Sequence, residues 1–245
     1  MKDRPALVMH RMEKDDKEAR TPVPCLFLLI LPQKGKGSEA LMTPAVRSFC
    51  SRINVCYGGN EKMNYYNLNV AGVERKLPII RVTDTLEIAS FVLLGDAELT
   101  IHAAAELVQK IPEVDYLITA EAKGIPLAQE LARLLGMKRY FVARKSIKPY
   151  MTEPFVTEVY SITTQERQIL CLEKEESEMI REKRILIVDD VISTGESIKA
   201  MESLVKKAGG RIAGKAAILA EGDSAARKDI IYLEKLPVFP VKPAR

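Results

Sequence analysis

The sequence predicts an α/β fold in which a parallel β-sheet is flanked by helices. Residues 114–119, 138–143 and 185–188 each contain a short apolar run of the kind that forms a buried strand, and amphipathic helical patterns lie between or after them. The segment Ile185 to Val188 has no polar alternation, which is typical of a parallel strand covered on both faces. The order of strand, helix and strand favours parallel strands joined by right-handed crossovers.

Residues 1–62 do not share this organisation. They mix charges without a period and contain prolines at positions 5, 22, 24, 32 and 44. We interpret them either as a disordered extension or as upstream sequence that is included because the start site was assigned too early. The second interpretation is based on Gly58-Gly59, which can be encoded by a purine-rich tract a few codons before Met63, where a ribosome-binding site would lie. A coherent domain is expected over residues 63–245.

Composition limits the classes of function. Residues 1–62 hold 11 Lys/Arg and 7 Asp/Glu, whereas residues 63–245 hold 26 of each, so the domain has no general basic field and we expect no nucleic-acid partner. The cysteines form no C-x-x-C pair, which predicts a reduced, cytoplasmic protein without a zinc site or disulfide framework. The longest apolar run, Cys25 to Leu31, is too short to span a membrane, and no membrane partner is expected.

The domain is predicted to open with short strands within residues 63–81, followed by an apolar segment at 89–94. Thr100 is the predicted N-cap of a helix that runs to about Ile111, because Pro112 cannot continue it.

Two core strands with charged or small loops come next. The strand at 114–119 leads into Glu121-Ala122-Lys123-Gly124 and an amphipathic helix at 125–135. The strand at 138–143 ends in Arg144-Lys145. Both loops are predicted to lie at the carboxyl edge of the sheet, where open α/β folds bind their ligands.

The remaining elements are a hairpin, a charged run and the end of the sheet. Residues 156–162 and 168–172 alternate as two paired strands would, and the charged run 173–183 is expected to be a solvated face. Further on, the patterns predict a helix at 195–208, a strand at 212–219, and closing segments at 230–232 and 236–239.

The stretch after Val188 is the strongest candidate for a ligand site. Two carboxylates, Asp189 and Asp190, are followed by a short loop and a helix N-terminus, whose free amide groups suit a phosphate. The loop residues are small or carry hydroxyls, namely Ser193, Thr194, Gly195 and, just beyond, Ser197. Because the carboxylates would repel a phosphate, they suit the hydroxyls of a ribose or a cation. The pattern indicates a site for ribose 5-phosphate.

Residues 185–197 resemble the thirteen-residue phosphoribosyl pyrophosphate (PRPP) motif of the type I phosphoribosyltransferases, and they contain neither a Walker A loop nor a G-x-G-x-x-G fingerprint. Within these enzymes the chain looks most like adenine phosphoribosyltransferase. The supporting segments occur in the right order: Glu121 to Gly124, Arg144-Lys145, Lys148-Pro149, Glu158 to Ser161, and Leu236 to Phe239.

The resemblance implies a type I phosphoribosyltransferase-like fold with a small hood over the base, which residues 63–96 are expected to supply, and a flexible hairpin loop. It implies that the domain transfers the ribose 5-phosphate of PRPP to a purine in purine salvage. Mg²⁺ would be bound through PRPP, near Asp189 and Asp190, with no direct protein ligand. A homodimer is also implied.

The resemblance assigns a role to each candidate residue. The implied catalytic residues are Asp189, Asp190 and Lys145. The implied 5-phosphate site is Ser193, Thr194, Gly195, Glu196 and Ser197. The implied pyrophosphate site is Glu121, Ala122, Lys123, Gly124 and Arg144, although Glu121 is expected to bond local backbone. The implied flexible loop carries Lys148, Tyr160 and Ser161.

One departure leaves the base open. The adenine enzymes place a carboxylate shortly after Tyr-Ser, where this chain has Ile162, Thr163 and Thr164. Adenine is the first expectation, and xanthine or hypoxanthine is the alternative. The identity of any general acid or base is left open. A second alternative is a purine-responsive regulator that binds PRPP without transferring it.

Overall fold

A computed structural model describes residues 64–160 and 167–241, all within one compact unit, Glu61–Arg245. The expectations for residues 1–62 lie outside the described residues. Within the described ranges, no helix is long and apolar enough to cross a membrane.

These residues form eleven strands and four α-helices. The strands are β1 (Tyr65–Val70), β2 (Val73–Arg81), β3 (Leu86–Ala89), β4 (Tyr116–Ala120), β5 (Phe141–Ala143), β6 (Phe155–Tyr160), β7 (Arg167–Leu172), β8 (Arg184–Ile192), β9 (Arg211–Glu221), β10 (Ile231–Leu236) and β11 (Val238–Pro240). The helices are α1 (Ala97–Leu107), α2 (Ile125–Leu134), α3 (Lys174–Ile180) and α4 (Glu196–Lys207), and a short 3₁₀ helix spans Gly222–Ala226.

The central layer is a five-stranded sheet in the order β10-β9-β8-β4-β5, and every neighbouring pair in it is parallel. Thr119 of β4 lies opposite Val188 of β8, and Ala120 lies opposite Ala143 of β5. The loops that follow β4, β5 and β8 therefore leave the sheet at one edge. The predicted parallel sheet with flanking helices is confirmed.

Strand β8 is covered on both faces. Leu186 and Val188 pack in a cluster with α1, α2 and part of a second sheet, while Ile185 and Ile187 pack in a cluster with α4 and the β6-β7 pair. All four side chains are at most 1% exposed. The unbroken apolar run follows directly from this burial, because a strand between two layers has no face left for polar residues.

A four-stranded antiparallel sheet, which we call the hood sheet, has the order β1-β2-β3-β11. Its first three strands come from residues 65–89, within the region expected to form the hood. The fourth strand, Val238–Pro240, comes from the C-terminal part of the chain and pairs with β3. Strands β6 and β7 form the predicted antiparallel hairpin.

Helix α1 corrects one prediction. Asp96, rather than Thr100, is the N-cap, because its carboxylate accepts the Leu99 amide at 3.1 Å and also pairs with Arg75 of β2 at 2.7 Å. Thr100 is buried inside the first turn and donates its hydroxyl to the Asp96 carbonyl at 2.7 Å. The regular helix ends at Leu107, before the predicted Ile111.

The charged run 173–183 contains α3 and forms a solvated face, as expected. Lys174, Glu175 and Glu178 are exposed, while Ile180 of the same helix is fully buried. Glu173 and Glu176 form a capping box at its start, which explains why acidic residues cluster there. The strand predicted at 138–143 is shortened to Phe141–Ala143.

We predict that Asp96→Ala lowers the free energy of unfolding by about 1 kcal/mol at pH 7, because a capping carboxylate is lost. The hydrogen bond from Arg75 holds the pKa of Asp96 below its usual value, so the contribution is present above about pH 4 and fades as the pH falls further. Urea denaturation at pH 7 and pH 3 measures both effects. The exposed Asp84→Ala is the control, and an equal loss in both variants would contradict the prediction.

Candidate active site

Asp189 and Asp190 belong to β8 itself, which extends to Ile192 rather than ending at Val188. Asp190 is only 4% exposed. One oxygen of Asp189 accepts the Asp190 amide at 2.9 Å. The Oδ2 atom of Asp190 is buried and has no hydrogen-bond partner among the described residues. A buried carboxylate oxygen without a donor is costly, so this atom is suited to a ligand that supplies one.

The electrostatics of the pair point the same way. Burial, and then the negative charge of Asp190, raise the pKa of Asp189 to about 7, with Lys145 acting weakly in the opposite direction. Burial also raises the pKa of Asp190, and Lys123 opposes that rise. Two adjacent carboxylates in a dry site favour a ligand with hydroxyl donors or positive charge.

Helix α4 presents an open N-terminus beside this pair. Gly195 is its N-cap with a φ of 81°, and it makes no side-chain capping bond. The first regular helix bond runs from the Lys199 amide to the Gly195 carbonyl at 2.9 Å. The hydroxyl residues Ser193 and Ser197 are exposed at the cavity beside this helix start. Amides, hydroxyls and the helix dipole together suit an anion such as a phosphate.

The turn needs glycine at position 195 for two reasons. Its positive φ is unfavourable for other residues. A Cβ there would also overlap the guanidinium of Arg227. Arg227 donates two hydrogen bonds of 3.0 and 2.8 Å to Asp229, which oppose its displacement.

The loop after β4 is joined to the loop after β5. The Glu121 carboxylate accepts the Lys145 amide at 3.2 Å, and it lies 3.5 Å from Arg144 Nη1 and 3.8 Å from Lys148 Nζ. The amide hydrogen bond, ahead of these cations, lowers the pKa of Glu121. Glu121 therefore positions the two loops, while Lys145 and Lys123 face the cavity. The peptide bond between Glu121 and Ala122 is cis.

Gly124 allows the first loop to pass close to the acidic strand. A Cβ on Gly124 would overlap the Thr119 hydroxyl and would lie 3.1 Å from Asp189 Cα and 3.2 Å from the Val188 carbonyl. The first loop can therefore approach the carboxylate pair only because position 124 has no side chain.

A cavity of about 410 Å³ collects most of these groups. From the expected site residues, its lining includes Glu121, Ala122, Lys123, Lys145, Asp189, Asp190, Ser193 and Ser197. Thr194, Gly195, Glu196, Gly124 and Arg144 belong to the same turns but not to the lining. Lys148 lies next to Glu121, Tyr160 is the last residue of β6, and Ser161 lies outside the described residues.

Sequence reasoning missed part of the lining. The hood sheet and the segment after β3 contribute Ile80, Ile88, Ala89, Ser90 and Phe91. The C-terminal residues of β9 and β10, on the side of the parallel sheet away from β4 and β5, contribute Glu221 and Leu236. Glu221 was missed because the predicted strand stopped at Leu219, whereas β9 continues to Glu221. An acidic residue at the carboxyl end of a parallel strand was the available signal. In the described residues, no group of three or more His, Cys, Asp or Glu could hold a metal ion.

A parallel sheet with an acidic pair and an open helix N-terminus at its carboxyl edge, facing a separate antiparallel sheet, is the architecture of a type I phosphoribosyltransferase. The chain belongs to the phosphoribosyl transferase domain family, whose model matches residues 94–244. The predicted family and fold class are confirmed.

Individual relatives differ in the base that they are named for. The chain is 27% identical over 148 residues to the xanthine phosphoribosyltransferase of Brevibacillus brevis, covering 56% of this chain and 74% of that protein. It is 31% identical over 105 residues to the xanthine phosphoribosyltransferase of Bacillus thuringiensis, covering 43% of this chain and about half (52%) of that protein. In fold it is similar to the adenine phosphoribosyltransferase of Thermoanaerobacter pseudethanolicus, with a TM-score of 0.50 and 23% identity over 70% of this chain and 95% of that one.

We predict that Gly124→Ala destabilises the protein by about 1–3 kcal/mol, because the methyl group must displace packed neighbours. Thermal or urea unfolding measures the loss. Thr119→Ala removes one of the overlapping atoms, so Gly124→Ala should cost less in that background, with the remainder due to the Asp189 and Val188 backbone. Equal costs in both backgrounds would show that the Thr119 hydroxyl is not the obstacle.

Proposed function

We propose that this protein is a PRPP-dependent purine phosphoribosyltransferase, with adenine as the first candidate base. The observation that supports it is a single cavity that combines an acidic pair, of which Asp190 is buried, with hydroxyls at a helix start, two lysines and an apolar wall. The acidic pair, the hydroxyls and the lysines suit a sugar phosphate with an anionic leaving group, and the apolar wall suits a flat base.

PRPP fits this division of the cavity. Its 5-phosphate would bind the amides and hydroxyls of residues 193–197, and its ribose diol would donate to Asp189 and Asp190, including the unpartnered Oδ2 atom. The pyrophosphate would lie by the loop that carries Lys123, near Lys145.

A magnesium ion is compatible with the same residues. Asp190 Oδ2 can accept from a ribose hydroxyl, and the oxygen atoms of that ribose and of the pyrophosphate are ligands of the kind that Mg²⁺ prefers. Asp189 and Asp190 would hold it through the ribose hydroxyls and pyrophosphate of PRPP rather than directly. When bound, it neutralises charge on the pyrophosphate.

The transfer itself requires one bond to form and one to break. A ring nitrogen of the base forms a bond to C1 of the ribose, and the bond from C1 to the pyrophosphate oxygen breaks, which releases pyrophosphate. The proton of that nitrogen passes to the released pyrophosphate or to water. Positive charge that builds on the ribose ring is stabilised by Asp189 and Asp190. Negative charge that builds on the pyrophosphate is stabilised by Lys123 and Lys145. The low exposure of Asp190 strengthens its own interaction with the ribose ring, because little water screens that carboxylate.

The wall at the base end favours a purine with few carbonyl groups. It is formed mainly by apolar side chains, including Ile80, Ile88, Phe91 and Leu236, and Ser90 adds a hydroxyl. Adenine has no carbonyl oxygen to desolvate against this wall, whereas xanthine has two. Xanthine is the second candidate, because the curated relatives reported above are named xanthine phosphoribosyltransferases.

Transfer is tested by incubating the purified chain with Mg-PRPP and each of adenine, hypoxanthine, guanine and xanthine. We expect a nucleoside monophosphate and pyrophosphate in equal amounts, with the highest kcat/KM for adenine. Product with xanthine alone would favour the second candidate. PRPP binding without product from any base would contradict the transferase proposal and would favour a regulator.

We predict that Asp190→Asn lowers kcat by about 100-fold or more, since it removes a charge that stabilises the ribose ring in the transition state. The variant should stay folded, because asparagine has almost the same shape, and thermal unfolding checks this. Glu234→Gln, an exposed change on β10, is the control and should leave kcat unchanged. Unaltered turnover in the folded Asp190→Asn variant would remove the acidic pair from the mechanism.

A further inference from the structure

Glu221 occupies a distinctive position in the cavity. It is the last residue of β9, it is half-buried, and it lies directly opposite Leu236 of β10 in the parallel register. Both residues line the cavity. Glu221 therefore reaches the site from the side of the sheet opposite to the loop that carries Lys123, with β8 between them.

The other acidic residues of the cavity have a partner or a role in the proposed function. Glu121 accepts the Lys145 amide and Asp189 accepts the Asp190 amide. The unpartnered Oδ2 atom of Asp190 is the proposed acceptor for the ribose diol. The Glu221 carboxylate, by contrast, makes no hydrogen bond and no ion pair with any of the residues that the structure describes. Burial raises the pKa of Glu221, and Lys123 is the charged group that opposes the rise. A half-buried acceptor without a donor is suited to a ligand that brings an N–H or O–H group.

The neighbours of Glu221 indicate which part of the ligand it meets. Leu236 beside it belongs to the apolar wall, together with Ile88 and Phe91 of the hood side. The 5-phosphate turn at 193–197 and the ribose-binding pair are supplied by a different strand and its loop. Glu221 thus lies where the apolar wall meets the charged half of the cavity. In the proposed function this place corresponds to an edge of the base rather than to the sugar phosphate.

We propose that Glu221 selects the base, because its carboxylate accepts a hydrogen bond from an N–H group on one edge of the purine. This inference rests on the proposed function and names a specificity residue for it. A base that presents an N–H group at this edge satisfies the carboxylate, whereas a base with a carbonyl oxygen there meets repulsion and leaves it without a donor. A site built to hydrogen-bond one group of a substrate rejects analogues that lack that group, because the buried partner is then left unpaired.

The test is the selectivity of Glu221→Gln. The amide keeps one acceptor oxygen but adds a donor, so it tolerates a carbonyl that the carboxylate rejects. We expect the ratio of kcat/KM between the best base and the others in the panel of adenine, hypoxanthine, guanine and xanthine to fall by about tenfold or more. The KM for PRPP should change by less than about threefold, because the sugar-phosphate contacts are untouched.

The matched control is Asp223→Asn, the same change at an exposed residue two positions further on and outside the cavity lining. It should leave both selectivity and KM unchanged, and thermal unfolding should report folded protein for both variants. An equal loss of kcat/KM for every base, or a rise confined to the KM for PRPP, would overturn the inference while leaving the transferase function in place.

If the wild type transfers to no base, the proposed function fails but this inference is still measured. Calorimetry then compares the binding of the four bases to wild-type and Glu221→Gln protein saturated with Mg-PRPP. A changed order of affinities supports base selection by Glu221. An unchanged order, or no binding of any base to the wild type, overturns it.

Discussion

The structure depends on the end of one strand, where burial and negative charge compete. The apolar run of β8 places the following residues between two packed layers, so Asp190 enters a nearly dry site by chain continuity alone. The pKa of Asp189 rises to about 7 in consequence, and Asp190 Oδ2 has no donor within the described residues. Such a pair weakens the fold on its own and becomes favourable when a ligand supplies donors or positive charge, which is a common feature of functional sites.

The loops around this pair are held by small residues and by bonds between loops. Gly124 and Gly195 are both positions where a Cβ would overlap a neighbouring side chain. Glu121 then joins the loops after β4 and β5 through the Lys145 amide. The site is therefore a set of turns positioned by a rigid sheet edge, which preorganises the donors before a ligand arrives.

Sequence reasoning succeeded where one contiguous segment carries both structure and chemistry. The apolar run of β8, the hydroxyl-rich turn and the helical period of α4 are all readable between residues 185 and 208, and the sheet they predict is present. It failed where a distant contact decides the outcome. The carboxylate of Asp96, which caps α1, is also held by Arg75 of β2, and Glu221 reaches the cavity because β9 pairs with β10 as far as Leu236. Neither partner can be identified from local periodicity.

The difference between local and distant contacts also explains why the sequence predicts the class of protein but not the base. The acidic pair and the turn proposed to bind the phosphate come from one strand and its following helix, so they are neighbours in the sequence as well as in the cavity. The part of the cavity proposed to hold the base is assembled from β2, β3, the residues after β3, β9 and β10, which come from opposite ends of the domain. No spacing links Ile88 to Glu221 or Leu236, and only the paired strands bring them together. If the proposed function holds, the choice of base in this chain depends on contacts between distant segments, and the contiguous segment 185–197 does not determine it.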